Sequence, residues 1–157
     1  YLSSYKDLSM TKILKLLLNA SPMSHQLGDL SLACARIYFG AAMALAHGVK
    51  KIPPSEKWIN FVSELGFPLP EVFAWSAGFT ELIGGGLIAL GLATRVSSFF
   101  MIQTMLVAVV LGHAGDPFKK IELGLCYLFA SLLFLGLGAG RYSLDAIISK
   151  RLKSHEG

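Results

Sequence analysis

Apolar positions in this chain do not alternate with polar ones; they run on. Leu30 to Ala46, Val72 to Ala93, Val96 to Gly112 and Ile121 to Ala139 carry apolar residues all round a helical projection. At a rise of 1.5 Å per residue, runs of roughly 17 to 22 residues match a hydrocarbon core of about 30 Å. Buried helices of a soluble protein keep a polar outer face, whereas helices facing lipid need none. The pattern therefore predicts an all-α fold, a four-transmembrane-helix antiparallel bundle. Only Thr94-Arg95 separates the second and third runs, and only His113 to Lys120 the third and fourth; such short connections make antiparallel neighbours.

The first connection is longer and carries its own pattern. After Pro53-Pro54, Ser55 is placed to cap a helix, and Trp58, Phe61, Val62 and Leu65 recur at helical spacing before Gly66 ends it. This predicts a short amphipathic interfacial helix, its Trp in the headgroup layer, able to lid one mouth of the bundle or simply to anchor there. Lys12 to Leu18 reads as a second short basic and apolar segment. Its apolar core is too short for a secretory signal and no small-residue cleavage site follows, while Met10 is a conceivable natural start. The chain divides into a cytoplasmic and interfacial segment (1–28), the bundle (29–140) and a basic tail (141–157).

Composition agrees. Of 157 residues 54% are hydrophobic and 15% charged, against about 25% charged in an ordinary soluble domain. The net charge of +4 does not form a basic stripe interleaved with aromatics, so no nucleic-acid partner is expected; the lipid bilayer is. Lys and Arg are more numerous on the side holding both termini than on the side holding Lys50, Lys51 and Lys57. By the positive-inside rule this sets the N- and C-termini in the cytoplasm of a multi-pass protein. The two cysteines, Cys34 and Cys126, stand isolated in apolar runs, with neither redox nor zinc spacing.

Ionisable residues inside apolar runs are costly and mark interior or functional positions. Measured from the lidded mouth, Arg36 lies about 16 Å below His47, Glu81 about 13 Å into the second run, and Gln103 about 13 Å before Gly112. Level depths predict an Arg36 to Glu81 ion pair with Gln103 as a third member, serving either as a structural clamp or in a substrate or proton role. Arg36, Gly40, Met43 and His47 share one helical face; so do Ala74, Gly78, Glu81 and Gly85, and Glu122, Cys126, Phe129 and Leu133. The outer half of the bundle should then gather His47, Lys50, His113 and Glu122. Histidine titrates near neutral pH and suits proton exchange with a membrane-soluble redox ligand. Two histidines and a glutamate on different helices are a weak metal signal, and no metal is expected.

The run Leu32-Ala33-Cys34-Ala35-Arg36-Ile37-Tyr38-Phe39-Gly40, with His47-Gly48-Val49-Lys50, resembles the opening of the DoxX family of small bacterial membrane proteins. Gly66-Phe67-Pro68-Leu69-Pro70, the block Glu81-Leu82-Ile83-Gly84-Gly85-Gly86, and Gly91-Leu92-Ala93-Thr94-Arg95 are similar to its second region. Tyr142-Ser143-Leu144-Asp145 resembles its closing signature, with Ala139 where many members have Pro. The resemblance implies a four-helix protein of the bacterial inner membrane. In some members it implies a quinone-linked oxidoreductase, of thiosulfate:quinone type, working with a partner subunit. No haem, flavin or iron-sulfur motif is present, so no covalent cofactor is expected; electrons would pass through bound quinone or a peripheral or membrane redox subunit.

On that reading the bundle interior binds quinone or another apolar small molecule. Glu81, Arg36, His47 and Glu122 would carry the chemistry, and Gln103, Tyr38, Lys50, Phe129 and His113 would line the ligand. The rival readings are a noncatalytic scaffold subunit, with a filled interior and a face free for a partner or an oligomer, and a small transporter. Paired broken helices and inverted repeats, the marks of a transporter, are not found in the sequence.

Overall fold

A computed structural model of the protein describes residues 25–154. Among them, four helices are long and apolar enough to cross a membrane: span one (Gln26–Lys51), span two (Pro70–Leu90), span three (Thr94–Gly112) and span four (Phe118–Leu137). The segment Lys12 to Leu18 lies outside the described residues. Span one differs most from the sequence expectation, continuing past Ala46 through a π-helical turn (Met43–His47) and a 3-10 turn (Gly48–Lys51). Nothing in His47-Gly48-Val49-Lys50-Lys51 breaks a helix; the breaker is Pro53.

Glycines set how closely spans one and two approach. A β-carbon on Gly40 would sit 2.5 Å from Ala89 N and 2.6 Å from Gly85 O, and one on Gly85 would lie 2.9 Å from Gly40 O. One on Gly48 would strike the Leu82 backbone. Backbone-to-backbone contact is the usual result of small residues at helix crossings in lipid, where packing rather than hydrophobicity draws helices together. Both expected inward stripes hold: Arg36, Gly40 and Met43 are buried, as are Ala74, Gly78, Glu81 and Gly85. The core is completed by Ile88, Met101, Ile102, Met105, Tyr127, Leu128, Ala130 and Phe134. Phe39 bridges spans one and four, its ring edge-on to Tyr127 at 5.8 Å and to Phe134 at 6.5 Å.

The centre of the bundle is therefore full. Between Phe39, Gly40, Met43, Ile88, Met101 and Phe134 only about 10 Å³ remains, no more than a single water occupies. The four-span architecture was expected; a ligand space along its axis is not what the packing leaves.

The predicted amphipathic helix forms over Glu56–Glu64. Ser55 Oγ accepts from Trp58 N at 3.3 Å, and Gly66 adopts φ +86° just beyond the helix. It packs by its apolar face: Val62 is buried, Phe61 lies against Gly112, and Trp58 Nε1 donates to Ala74 O at 3.4 Å.

A polar latch closes the opposite end. Span two finishes at Leu90 with Gly91 at φ +69°, and Ala93 turns the chain at φ 48° into span three. The Asp145 carboxylate accepts from Ala93 N at 2.8 Å and Thr94 N at 3.1 Å, satisfying amides at the start of span three that have no partner within the helix. Ser143 Oγ accepts from Ala146 N, capping the C-terminal helix (Leu144–Ser154), and Asp145 N donates to Gly91 O.

Candidate functional site

Beneath the lid helix lies a cavity of about 300 Å³. The lid contributes Trp58, Phe61, Val62 and Leu65; span two contributes Phe73, Ser76, Ala77, Thr80 and Glu81; span three contributes Phe100, Gln103, Thr104, Val107 and Ala108. Lys51, Phe67, Gly112 and His113 complete the wall. Most of this lining is aromatic or aliphatic, with a few polar groups brought together, the usual build of a small-molecule site. Phe73, Phe100 and Gln103 are exposed, so the cavity opens through the flank of the bundle and not along its axis.

Two of those polar groups form an ion pair. Lys51 Nζ donates to Glu81 Oε1 at 2.6 Å, and the same ammonium lies 4.4 Å from the centroid of the Trp58 ring, within cation–π range. Glu81 is 2% exposed and Lys51 26%, so the lysine links a buried carboxylate to the outside. Glu81 Oε2 is buried with no hydrogen-bond partner among the described residues. The carboxylate sits in a π-helical turn (Thr80–Gly84). Similar turns occupy Met43–His47, just before Lys51, and Ala108–Gly112, which contributes to the cavity wall. Such turns are frequent at functional sites because they re-aim side chains locally.

The expected Arg36 to Glu81 pair does not form. Arg36, 1% exposed, donates through Nη1 to Ile88 O at 2.6 Å and Ala89 O at 2.7 Å, and through Nη2 to Tyr142 O at 2.8 Å. It belongs to the latch. The reason is register: Gly48, not a residue near Arg36, packs against Glu81 and Leu82, and Arg36 is 12 residues or about 18 Å further along span one. Counting depth from His47 set the two spans level at the wrong point. Gln103 does reach the Glu81 neighbourhood, since both line the cavity, but its side chain forms no hydrogen bond with any described residue.

The other predicted residues scatter. His47 packs edge-on against Tyr127 at 5.5 Å. Tyr38 is 70% and Phe129 62% exposed, both on outer faces, so neither holds a ring in the interior. The stripe of Glu122, Cys126, Phe129 and Leu133 is exposed throughout, and the buried side of span four is Tyr127, Leu128, Ala130, Ser131 and Phe134. Lys50 is exposed. His113 lies at the cavity rim with Nδ1 3.0 Å from Asp116, which also accepts from Lys120 at 2.8 Å. These bonds, from Lys120 first and then His113, hold the Asp116 carboxyl below its ordinary range. The proposed gathering of His47, Lys50, His113 and Glu122 is not made by any described contact, and no three His, Cys, Asp or Glu side chains converge among the described residues. Both cysteines are free and exposed.

Sequence reasoning missed Lys51 and Trp58 as site residues. The signal for Lys51 was available: a helix unbroken to Pro53 carries it one turn beyond His47, on the face of Gly48.

The DoxX family model matches residues 31–114, which include every residue lining the cavity. The chain belongs to the DoxX family. It is 30% identical over 148 residues to "Uncharacterized membrane protein Rv3486" of Mycobacterium tuberculosis, covering 81% of this chain and 86% of that protein. It is also 30% identical over 109 residues to "Putative oxidoreductase CatD" of Bacillus subtilis, covering 69% of this chain and 80% of the relative. No solved structure matches. The latch residues Tyr142, Ser143 and Asp145 fall outside the matched region of this DoxX protein, whereas Arg36 falls inside it.

Proposed function

We propose that this DoxX protein is a membrane subunit of a redox system that holds a quinone or a similar apolar ring in the cavity between the lid and spans two and three. The observation that carries the reading is the buried Glu81 carboxylate, paired with the part-exposed Lys51, in the wall of an aromatic cavity. A carboxylate taken out of water is expensive, and Glu81 lines a space of about 300 Å³, within the range of small-molecule sites, rather than packed core. The oxidoreductase title of the Bacillus subtilis relative supports the redox part. With Phe100 and Gln103 inside span three, the opening faces lipid, the phase in which a quinone travels. Electrons come from a partner subunit, peripheral or membrane-bound. The protein sits in the bacterial inner membrane with both termini cytoplasmic, so the lid and cavity face the outer side.

The test is photolabelling in lipid nanodiscs with a short-chain azidoquinone, followed by peptide mapping. Label on the lid helix and on cavity-facing positions of spans two and three, lost with excess unlabelled quinone, is expected. Label confined to outer faces around Tyr38 or Phe129, unaffected by competitor, refutes the site.

The filled bundle centre favours a second reading, a noncatalytic scaffold within a larger complex. A scaffold predicts a fixed copurifying partner and no competable label. The same filled centre speaks against a transporter.

A further inference from the structure

The ligand class of the lidded cavity can be narrowed from the residues that line it, and this rests on the cavity being a ligand site. Glu81 uses one carboxylate oxygen on Lys51; its other oxygen, Oε2, is buried and has no partner among the described residues, on a side chain 2% exposed in the cavity wall. A carboxylate accepts hydrogen bonds and cannot donate them, and a buried acceptor without a donor is costly. The Lys51 ammonium gives one of its three N–H groups to Glu81 at 2.6 Å and lies 4.4 Å from the centroid of the Trp58 ring. Gln103, without a described partner, offers a second polar contact. A bound ring carrying only carbonyl oxygens would set lone pairs against Oε2. A ring carrying a hydroxyl would satisfy it.

We infer that the cavity selects an aromatic ring bearing a hydroxyl donor, and so holds the hydroxylated, reduced form of a ring ligand more tightly than its carbonyl or ether counterpart. Glu81 Oε2 accepts from the ligand hydroxyl while the ring stacks among Trp58, Phe61, Phe73 and Phe100. A hydrogen bond to a charged acceptor corresponds to a preference of about tenfold or more. For a two-electron couple, each tenfold preference for the reduced form raises the midpoint potential of the bound ligand by about 30 mV.

The experiment uses full-length protein in nanodiscs with Trp75→Phe, so that Trp58 reports binding by fluorescence. Probes are 1-naphthol, 1-methoxynaphthalene and 1,4-naphthoquinone, each corrected for partition into empty nanodiscs. Naphthol binding about tenfold or more tighter than the methoxy compound, with the gap closing in Glu81→Leu, is the expected result. Equal affinities in the wild type overturn the inference and leave the cavity reading standing. If no probe gives saturable binding, the ligand-site reading falls as well. The wild-type comparison decides even if Glu81→Leu does not fold.

Discussion

Replacing Arg36 by Met separates the two charged centres. Arg36 donates to three carbonyls. Ile88 O keeps a second donor, Gly91 N at 3.1 Å, whereas Ala89 O and Tyr142 O lose the only partner described for them. Both bonds are part-buried, so the penalty of about 1–3 kcal/mol for a buried carbonyl left bare is an upper bound for each, and the loss is at most about 2–6 kcal/mol. Removing a buried guanidinium also relieves its desolvation, which moves the expectation to about 2–4 kcal/mol. Reversible unfolding in mixed micelles measures it, and a double-mutant cycle gives the sharper result. Arg36→Met and Glu81→Gln should be additive within about 0.5 kcal/mol because no contact joins them. Lys51→Met and Glu81→Gln should couple by about 0.5–3 kcal/mol. A cost below about 1 kcal/mol for Arg36→Met refutes the latch. Coupling above about 1 kcal/mol between Arg36 and Glu81 refutes the register that parts them.

Gly48→Ala should destabilise by about 1–3 kcal/mol, because the new methyl meets the Leu82 backbone and not a side chain able to move; the same unfolding assay checks it. Ala93→Gly should stabilise by about 0.5–1 kcal/mol, since relief at φ 48° outweighs the added freedom of the unfolded chain. An Asp116 carboxyl held low by Lys120 and His113 should titrate below the ordinary aspartate range by NMR, and Lys120→Met should raise that midpoint. The sign follows: with the folded value depressed, the loop contacts contribute above the ordinary carboxylate range and are lost as pH falls through the folded value.

Periodicity and breakers made much of the fold readable. Four apolar runs became four spans, and the Ser55 cap, the Trp58 to Leu65 spacing and Gly66 became the lid. Inward faces were legible where glycine or charge marked them, as at Gly40, Gly85 and Glu81. They were not legible on span four, where apolar residues go all the way round and helical spacing alone cannot distinguish lipid from core. That is why Phe129 and Glu122 were assigned inward and lie outward. Register was the deeper difficulty. It is fixed by where glycines let two backbones touch, and no count from an assumed membrane edge reveals that Gly48 meets Glu81.

The same register ties the cavity to the fold without tying their energetics. Gly40 and Gly48 set the height of span one against span two, and that height alone decides that Lys51 stands over Glu81. Arg36 secures the far end against the turn at Gly91, away from the cavity. Latch changes such as Arg36→Met should therefore lower stability while leaving the affinity of a cavity ligand unchanged. Lid changes such as Phe61→Ala should do the reverse: the lid is a peripheral helix of nine residues that roofs the cavity but adds only Val62 to the fully buried apolar residues. An Arg36 variant that still folds yet binds several-fold more weakly would mean that the two ends are mechanically coupled, and the cavity would have to be understood as a property of the whole bundle.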